Sequence, residues 1–177
     1  MNSLFDSAPG FDQPLAVLKH CHDRIRKQLA TMDKLVSHLN DVGIDENAQQ
    51  AAKAVLRYFN KAAPLHHEDE EIDLLPELKA TVTGTDAELF AQLHAEILQQ
   101  HQQMAQQWQV LGKQLQAIED GTGTDLSAAD VEDFAALYTS HMQIEEGQIA
   151  PMAQRLFSAA QMQKLGAAMQ ARRGISS

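Results

Sequence analysis

Residues 66–76, HHEDEEIDLLP, and residues 141–151, HMQIEEGQIAP, carry the same motif twice. Both stretches read His-x3-Glu-Glu-x4-Pro, and every shared position is offset by 75 residues. Side chains four residues apart lie on one face of a helix, one turn apart. A histidine and a glutamate at this spacing reach the same small volume. One such pair alone is more often a solvated contact on the surface of a helix. Two copies, each followed by a proline at the same distance, together predict a pair of metal donors on each of two helices.

The second copy indicates which residues of the first copy are the donors. It contains a single histidine, His141, and the residue four positions later is Glu145. Alignment of the two copies on their prolines makes His66 and Glu70 the equivalent pair. The outer positions of the motif are then occupied by His67, Glu71 and Glu146. Side chains at these positions either hydrogen-bond to the metal-binding residues or face the solvent.

The composition predicts an all-α protein. The chain has 177 residues, of which 44% are hydrophobic, and this is enough for a substantial core. Ala, Leu, Gln, Glu and Met are common, and these residues favour helices. No alternating run of β-branched and aromatic residues suggests a sheet. We expect an antiparallel up-down four-helix bundle with a short additional C-terminal helix.

Apolar periodicity and capping signals divide the chain into five helices. The predicted ranges are about 14–41, 45–75, 85–118, 127–150 and 158–173. The predicted helix starts rest on Asp12, Thr85-x-x-Glu88, Ser127-x-x-Asp130 and Ser158-x-x-Gln161. Pro64 predicts a kink or a restart within the second helix. Residues 1–177 are expected to form a single domain, with the bundle at about 14–157 and the C-terminal helix packing on its own chain.

The charge and the cysteine content exclude several classes of function. A net charge of −10 argues against binding to nucleic acid or to an anionic membrane surface. The single cysteine, Cys21, rules out a disulfide framework. The N-terminus does not resemble a signal peptide, and no apolar run approaches the length of a membrane span. We therefore expect a cytoplasmic protein.

Two histidines and two glutamates do not fill a site for two metal ions, so the first and third helices should contribute further donors. His22 lies on the apolar stripe of the first helix, and both His94 and His101 lie on the stripe of the third. A single buried histidine is more often a core residue. The matching pairs on the second and fourth helices favour metal binding for His22 and His101, and they leave His94 as an open candidate.

These residues resemble the hemerythrin-like proteins of the bacterial HHE cation-binding kind. The resemblance rests on the two motifs, on residues 21–26 (CHDRIR), and on His101, which precedes Trp108 by seven positions. It extends over residues 14 to about 157, which is nearly the whole chain. The helix 1 and helix 3 matches carry less information than the paired motif.

The resemblance implies a non-haem di-iron centre with an oxo or hydroxo bridge inside the bundle. Terminal ligands would be His22, His66, His101 and His141, and the bridging carboxylates would be Glu70 and Glu145. The candidate metal ligands are thus His22, His66, Glu70, His94, His101, His141 and Glu145. Zinc or manganese would also accept these donors.

The chain departs from the family's oxygen carriers on the third helix. Those proteins have two histidines one turn apart, whereas here the residue four before His101 is Ile97. His94 either serves a second iron or lies outside the ligand set. We expect a protein that binds dioxygen, nitric oxide or a related small ligand for sensing, carriage or protection. The alternatives are a di-iron enzyme or iron-repair factor with peroxide or nitric oxide chemistry, and a storage or structural metal site.

Overall fold

The computed structural model describes residues 8–175, which form five helices and no strand. We label them α1 (Pro14–Asp41), α2 (residues 46–81), α3 (Gly84–Glu119), α4 (residues 128–156) and α5 (Ala159–Arg172). The predicted all-α class is therefore confirmed. Among the described residues, no helix combines the length and the apolar character that a membrane crossing requires.

Helices α2 and α4 are built from α segments interrupted by π turns. In α2 the order is Glu46–Arg57, the π turn Tyr58–Ala62, Ala63–Glu68, the π turn Asp69–Leu74, and Leu75–Thr81. In α4 it is Ala128–Ile144, the π turn Glu145–Ile149, and Ala150–Leu156. The Leu75 N–H donates to the carbonyl of Glu70, five residues back, and the Ala150 N–H donates in the same way to Glu145. Both glutamates of the doubled motif thus lie in π turns.

The prolines of these helices do not end them. Pro64, Pro76 and Pro151 are each the second residue of the α segment that follows a π turn. Proline lacks an N–H and clashes with the carbonyl four residues earlier in a regular α-helix. The wider π turn moves that carbonyl away, and the helix continues. The predicted ends of the second and fourth helices, near 75 and 150, are therefore wrong by about 1.7 turns, because the helices end at Thr81 and Leu156.

Two of the four predicted N-terminal caps are confirmed. The Ser127 side chain accepts from the Asp130 N–H, and Ser158 forms the full capping box with Gln161. The Asp12 cap is wrong, because α1 opens at Gln13-Pro14 without a side-chain cap. The Thr85 box is also wrong. Gly84 takes a left-handed φ of +56° to close the short link after α2, and α3 already begins there.

Two apolar clusters fill the bundle on either side of a polar layer. The first apolar cluster includes Ile25, Met32, Val55, Phe59, Met104, Leu111, Phe134 and Tyr138. The second apolar cluster includes Leu18, Leu74, Leu78, Phe90, Ile97, Ile149, Met152 and Leu165. Helices α1 and α3 run from the second cluster to the first, whereas α2 and α4 run from the first to the second. The four helices therefore alternate in direction, as an up-down bundle requires.

The C-terminal helix α5 packs against α1 and against the second π turn of α2. Its anchor is Asp69, which is fully buried and is held by the guanidinium groups of Arg172 and Arg173. Arg172 also contacts Asp73, and its Nε atom lies 3.3 Å from Glu68. A buried carboxylate needs such partners, since an unpaired one would be strongly destabilising. The residue next to Asp69 is Glu70, so α5 is fastened directly behind the polar layer.

Candidate metal centre

The polar layer brings together six of the seven residues proposed from the sequence. One member comes from α1 and one from α3, and two each come from α2 and α4. These six residues are His22, His66, Glu70, His101, His141 and Glu145, and all of them are buried. Along each of the four helices, residues of the first apolar cluster lie on one side of the polar layer and residues of the second lie on the other. The donors are therefore enclosed by apolar side chains along the bundle axis.

Within the described residues, the donors form two overlapping groups that share Glu70. One group contains His22, His66, Glu70 and Glu145, and the other contains His67, Glu70, His101 and His141. In each group the ligand atoms all lie within 4.8 Å of one another. Two groups with a common carboxylate can hold two neighbouring metal ions, because a carboxylate offers one oxygen to each.

Both central glutamates lie between histidines of different groups. The two oxygens of Glu70 lie 2.9 Å from His66 Nε2 and 3.1 Å from His101 Nε2. Glu145 Oε2 lies 3.0 Å from His22 Nε2 and 3.6 Å from His141 Nε2. Each carboxylate thus spans the space between the two donor groups.

Several buried donor atoms of the centre make no hydrogen bond within the described part of the chain. These atoms are His66 Nδ1 and Nε2, His67 Nε2, both oxygens of Glu70, and Glu145 Oε1. The short distance from His66 Nε2 to Glu70 Oε1 does not have the alignment of a hydrogen bond. A buried polar atom without a partner costs about 1–3 kcal/mol. A cation held by imidazole and carboxylate donors would offset this cost, so the residues present fit a metal ion.

Outer side chains fix the rings of three histidines through their Nδ1 atoms. His22 Nδ1 donates to Glu146 at 2.9 Å, and His101 Nδ1 donates to Glu71 at 2.6 Å. His141 Nδ1 lies 3.1 Å from the Gln100 amide oxygen. These contacts leave Nε2 of each ring directed at the centre, which is the usual role of such partners in metal sites. Both glutamates therefore hydrogen-bond to a histidine of the centre, and Glu71 does so while its side chain stays exposed to solvent.

The buried charges shift the pKa values of the centre's members. Burial disfavours a protonated His66, but the Glu70 carboxylate outweighs this effect and raises the pKa of the histidine. Burial also opposes a charged Glu70, yet His66 and the other surrounding histidines hold its pKa well below the usual range. Burial, together with the charge of Glu70, raises the pKa of Glu145 to about 7. Burial lowers the pKa of His141 to about 3. Glu70 and His141 are thus held in the forms that bind metal ions.

Among the described residues, His94 belongs to neither of the two donor groups, unlike the other six residues proposed from the sequence. The His94 ring stacks on Phe90, with 5.3 Å between the ring centroids. Phe90 and the fully buried Ile97 belong to the second apolar cluster. His94 shares a helix face with His101, but the rise of the helix separates them by ~10.5 Å along the axis. A shared face is therefore not enough to reach the same metal position.

Two members of the site were missed in the sequence. His67, assigned there to an outer position, belongs to the second donor group, and its ring stacks on His101 at 4.0 Å. Gln100, the partner of His141, is also buried. The sequence did contain a sign of the role of His67, because the first motif copy has two adjacent histidines where the second copy has one. Gln100 had no such signal, because it is one of many glutamines on α3.

Comparison with known proteins agrees with this geometry. A protein of Haemophilus influenzae, described only as uncharacterized, is 28% identical over 165 residues, which cover 93% of this chain and 92% of the relative. Residues 13–153 match the family described as the hemerythrin HHE cation binding domain. This range contains every donor residue, and it ends within the last turn of α4, before α5. The chain belongs to the hemerythrin HHE cation-binding family.

Proposed function

We propose that this protein binds two non-haem iron ions and that the iron centre takes up dioxygen, nitric oxide or a related small ligand. Its role would be sensing, carriage or protection. The observation that carries the proposal is the pair of donor groups joined at Glu70, with buried donor atoms that lack hydrogen bonds. His22, His66, His67, His101 and His141 would supply nitrogen, and Glu70 and Glu145 would supply oxygen to both ions.

The donor set favours iron. Imidazole suits iron, zinc and copper, whereas carboxylates suit harder cations, and a mixture of both is typical of non-haem iron. Two negative carboxylates between two cations also reduce the repulsion of the cations. When bound, the ions would supply the capacity to bind a small ligand reversibly. The protein's own part is to hold the donors, to orient the imidazoles through Nδ1, and to keep bulk water out by means of the two apolar clusters.

Elemental analysis of protein expressed with iron, combined with an absorption spectrum, tests this proposal. We expect two iron ions per chain and near-ultraviolet absorption that changes when azide is added. One zinc ion per colourless chain would overturn the iron assignment. Reversible loss and recovery of the absorption on cycling oxygen would support ligand binding. Sustained turnover of peroxide would instead support the enzymatic alternative.

We also propose the cytoplasm as the compartment and a small diatomic molecule as the partner. The single cysteine and the absence of any disulfide requirement support a reducing compartment. The net charge of −10 supports a neutral ligand rather than a nucleic acid. Fractionation of the native host with an antibody to the protein tests the compartment.

A further inference from the structure

A groove on the surface of this acidic chain is lined only by basic and neutral side chains. It lies between α1 and the first half of α2, and its volume is about 710 Å³. Among the described residues, no aspartate or glutamate lines it, although the chain has 24 acidic residues. The basic residues of its wall are Arg24, Lys53, Arg57 and Lys61. We call it the basic groove, and its charge is opposite to that of the whole chain.

Three of these cations follow one another along α2. Lys53, Arg57 and Lys61 are spaced four residues apart, so they lie on one face of the helix, each about 6 Å from the next along the axis. Arg24 adds a fourth cation from α1. Like charges four residues apart on a helix repel one another and destabilise it. An anion bound in the groove would remove this repulsion.

The two arginines of the groove differ from the other arginines of the chain in their partners. Each of the others lies within ion-pair distance of a carboxylate, and these are Arg26, Arg155, Arg172 and Arg173. In the part of the chain that the structure describes, neither Arg24 nor Arg57 has such a partner. The Arg24 guanidinium instead lies over the Tyr58 ring, 5.1 Å from its centroid. Both guanidinium groups can therefore offer a pair of N–H donors to a bound phosphate or carboxylate.

The two lysines of the groove are also available to an anion. Lys53 lies 3.9 Å from Glu119, at the limit of an ion pair, and 72% of its side chain is exposed. Such an exposed contact is worth little, so a ligand can replace it. Within residues 8–175, Lys61 has no carboxylate at ion-pair distance. The groove thus holds up to four positive charges that the protein itself neutralises only weakly.

The inner part of the groove is apolar and is held in place by a contact between the two helices. The Tyr58 side chain is buried, and its hydroxyl donates to the Cys21 carbonyl of α1 at 3.2 Å. Ala54, Ala62 and Leu65 complete the apolar part of the lining. Tyr58 begins a π turn that contains no residue of the metal centre. Because π turns are rare and are often found at functional sites, this one indicates a role outside the centre.

We propose that the basic groove binds a small organic phosphate, a molecule that combines a phosphate group with a flat apolar body. The phosphate would pair with Arg57 and Lys61 and with Arg24 across from them, and the apolar body would lie against Ala62 and Leu65. The volume of the groove is in the range of small-molecule sites, and such sites combine apolar walls with a few charged groups. The proposal does not depend on the metal centre, because none of its donors lines the groove.

Calorimetric titration of the full-length protein with phenyl phosphate tests the proposal. The variant Arg57→Gln/Lys61→Gln removes two cations of the groove. The control Lys34→Gln/Lys113→Gln removes the same charge from exposed positions elsewhere. We expect the first variant to weaken binding at least roughly tenfold and the control to weaken it less than about twofold. Equal weakening would mean that net charge alone attracts the ligand, and absence of saturable binding up to ~10 mM would also overturn the site.

Three further ligands test the chemical class. Inorganic phosphate has the charge without the apolar body, and benzyl alcohol has the apolar body without the charge. Each should bind at least roughly tenfold more weakly than phenyl phosphate. Inorganic phosphate that binds as tightly as phenyl phosphate would overturn the organic ligand. A hexaglutamate peptide that binds more tightly would overturn the small molecule in favour of an acidic protein partner.

NMR spectra of protein with labelled alanine methyl groups locate the bound molecule. Phenyl phosphate should shift the signals of Ala54 and Ala62 saturably, and it should leave Ala128 at the start of α4 unchanged. Protein with and without bound metal should give the same dissociation constant. A failure of the di-iron proposal would therefore leave this result intact. Saturable shifts that spare Ala54 and Ala62 would place the ligand elsewhere and overturn the basic groove as its site.

Discussion

The Glu146 carboxylate holds the ring of His22 in place, with Glu146 Oε1 at 2.9 Å from His22 Nδ1. Glu145, its neighbour in the motif, lies 3.0 Å from Nε2 of the same ring. Two adjacent carboxylates of α4 therefore fix both nitrogens of a histidine on α1. The second glutamate of the motif acts as a support for a ligand on another helix. On α2, Glu71 supports His101 in the same way.

We expect Glu146→Gln to weaken metal binding roughly 10- to 100-fold, the usual effect of losing such an outer partner. An amide is a weaker acceptor than a carboxylate, and it leaves the His22 ring freer to turn. Competition with a chromophoric chelator measures the affinity. The control is Glu132→Gln on the exposed face of α4, which should keep the wild-type affinity. An unchanged affinity in Glu146→Gln would contradict the supporting role.

Replacement of His67 should reduce metal content, whereas replacement of His94 should not. His67 belongs to the second donor group, but His94 stacks on Phe90 outside it. His67→Ala should therefore lower the occupancy of one of the two metal positions, and His94→Ala should retain the wild-type content. Mass spectrometry of the metals in desalted protein, normalised to protein concentration, measures both. Full occupancy in His67→Ala combined with loss in His94→Ala would reverse our assignment.

Replacement of Glu70, which belongs to both donor groups, should lower the metal content more than replacement of His67 does. Glu70 is common to the two donor groups, and both its oxygens are buried without a hydrogen bond. Glu70→Ala should therefore remove both metal ions, unlike His67→Ala. The same metal analysis checks it, with the circular dichroism spectrum as the measure of folding. A folded Glu70→Ala protein that keeps two metal ions would refute the shared position.

Metal binding should release more protons at pH 6 than at pH 8. Burial raises the pKa of Glu145 to about 7, and the charge of Glu70 raises the pKa of His66 and His101 against the effect of burial. At pH 6 Glu145 carries its proton in the metal-free protein, and binding must displace it. At pH 8 the carboxylate is already charged, so the release falls by about one proton.

Anaerobic calorimetric titrations with ferrous ion, in buffers of different ionisation enthalpy, count these protons. His94→Ala is the control, because His94 lies outside the centre, and it should show the same difference between the two pH values. An equal number of protons at pH 6 and pH 8 would mean that Glu145 is already ionised before the metal binds.

The anchor of α5 should contribute strongly to stability. Asp69 is fully buried, and both Arg172 and Arg173 pair with it. The double variant Arg172→Ala/Arg173→Ala leaves this carboxylate without a cation, which costs about 3–5 kcal/mol of unfolding free energy. Urea denaturation at equal metal content measures the loss. The control is Arg155→Ala, which breaks an exposed pair with Asp86 and should cost less than about 1 kcal/mol. Similar losses in both variants would contradict the anchor.

The sequence was sufficient to predict the helical fold and most of the centre. The repeat of the motif identified Glu70 and Glu145 because two copies with the same spacing seldom arise without a common role. Apolar periodicity placed His22 and His101 on inward faces. Their convergence with the motif residues follows from the alternating directions of the helices, which short loops favour.

The errors have a physical origin in the same periodicity. Residues on one face of a helix are spread along its whole axis. Periodicity alone therefore did not show that His94 and His101 lie at different positions along the axis of α3. The π turns also escaped prediction, because the usual templates assume hydrogen bonds to the fourth residue back, and here Leu75 and Ala150 donate to the fifth. The predicted helix ends near 75 and 150 fall just before Pro76 and Pro151, whereas both prolines lie in α segments that continue the helices.

The π turns allow each motif helix to hold one residue more than a regular helix without changing the direction of the residues that follow. A π turn contains one residue more than the α turn it replaces. Removal of one exposed residue, for example Ile72, would therefore let α2 close into a regular helix, and Leu74 and Leu78 would keep their places in the second apolar cluster. The change would be confined to the turn that contains Glu70, where the Leu75 N–H now donates to the fifth residue back. One deleted codon would thus spare every ligand and the packing beyond them, and would alter only the backbone that carries the shared carboxylate.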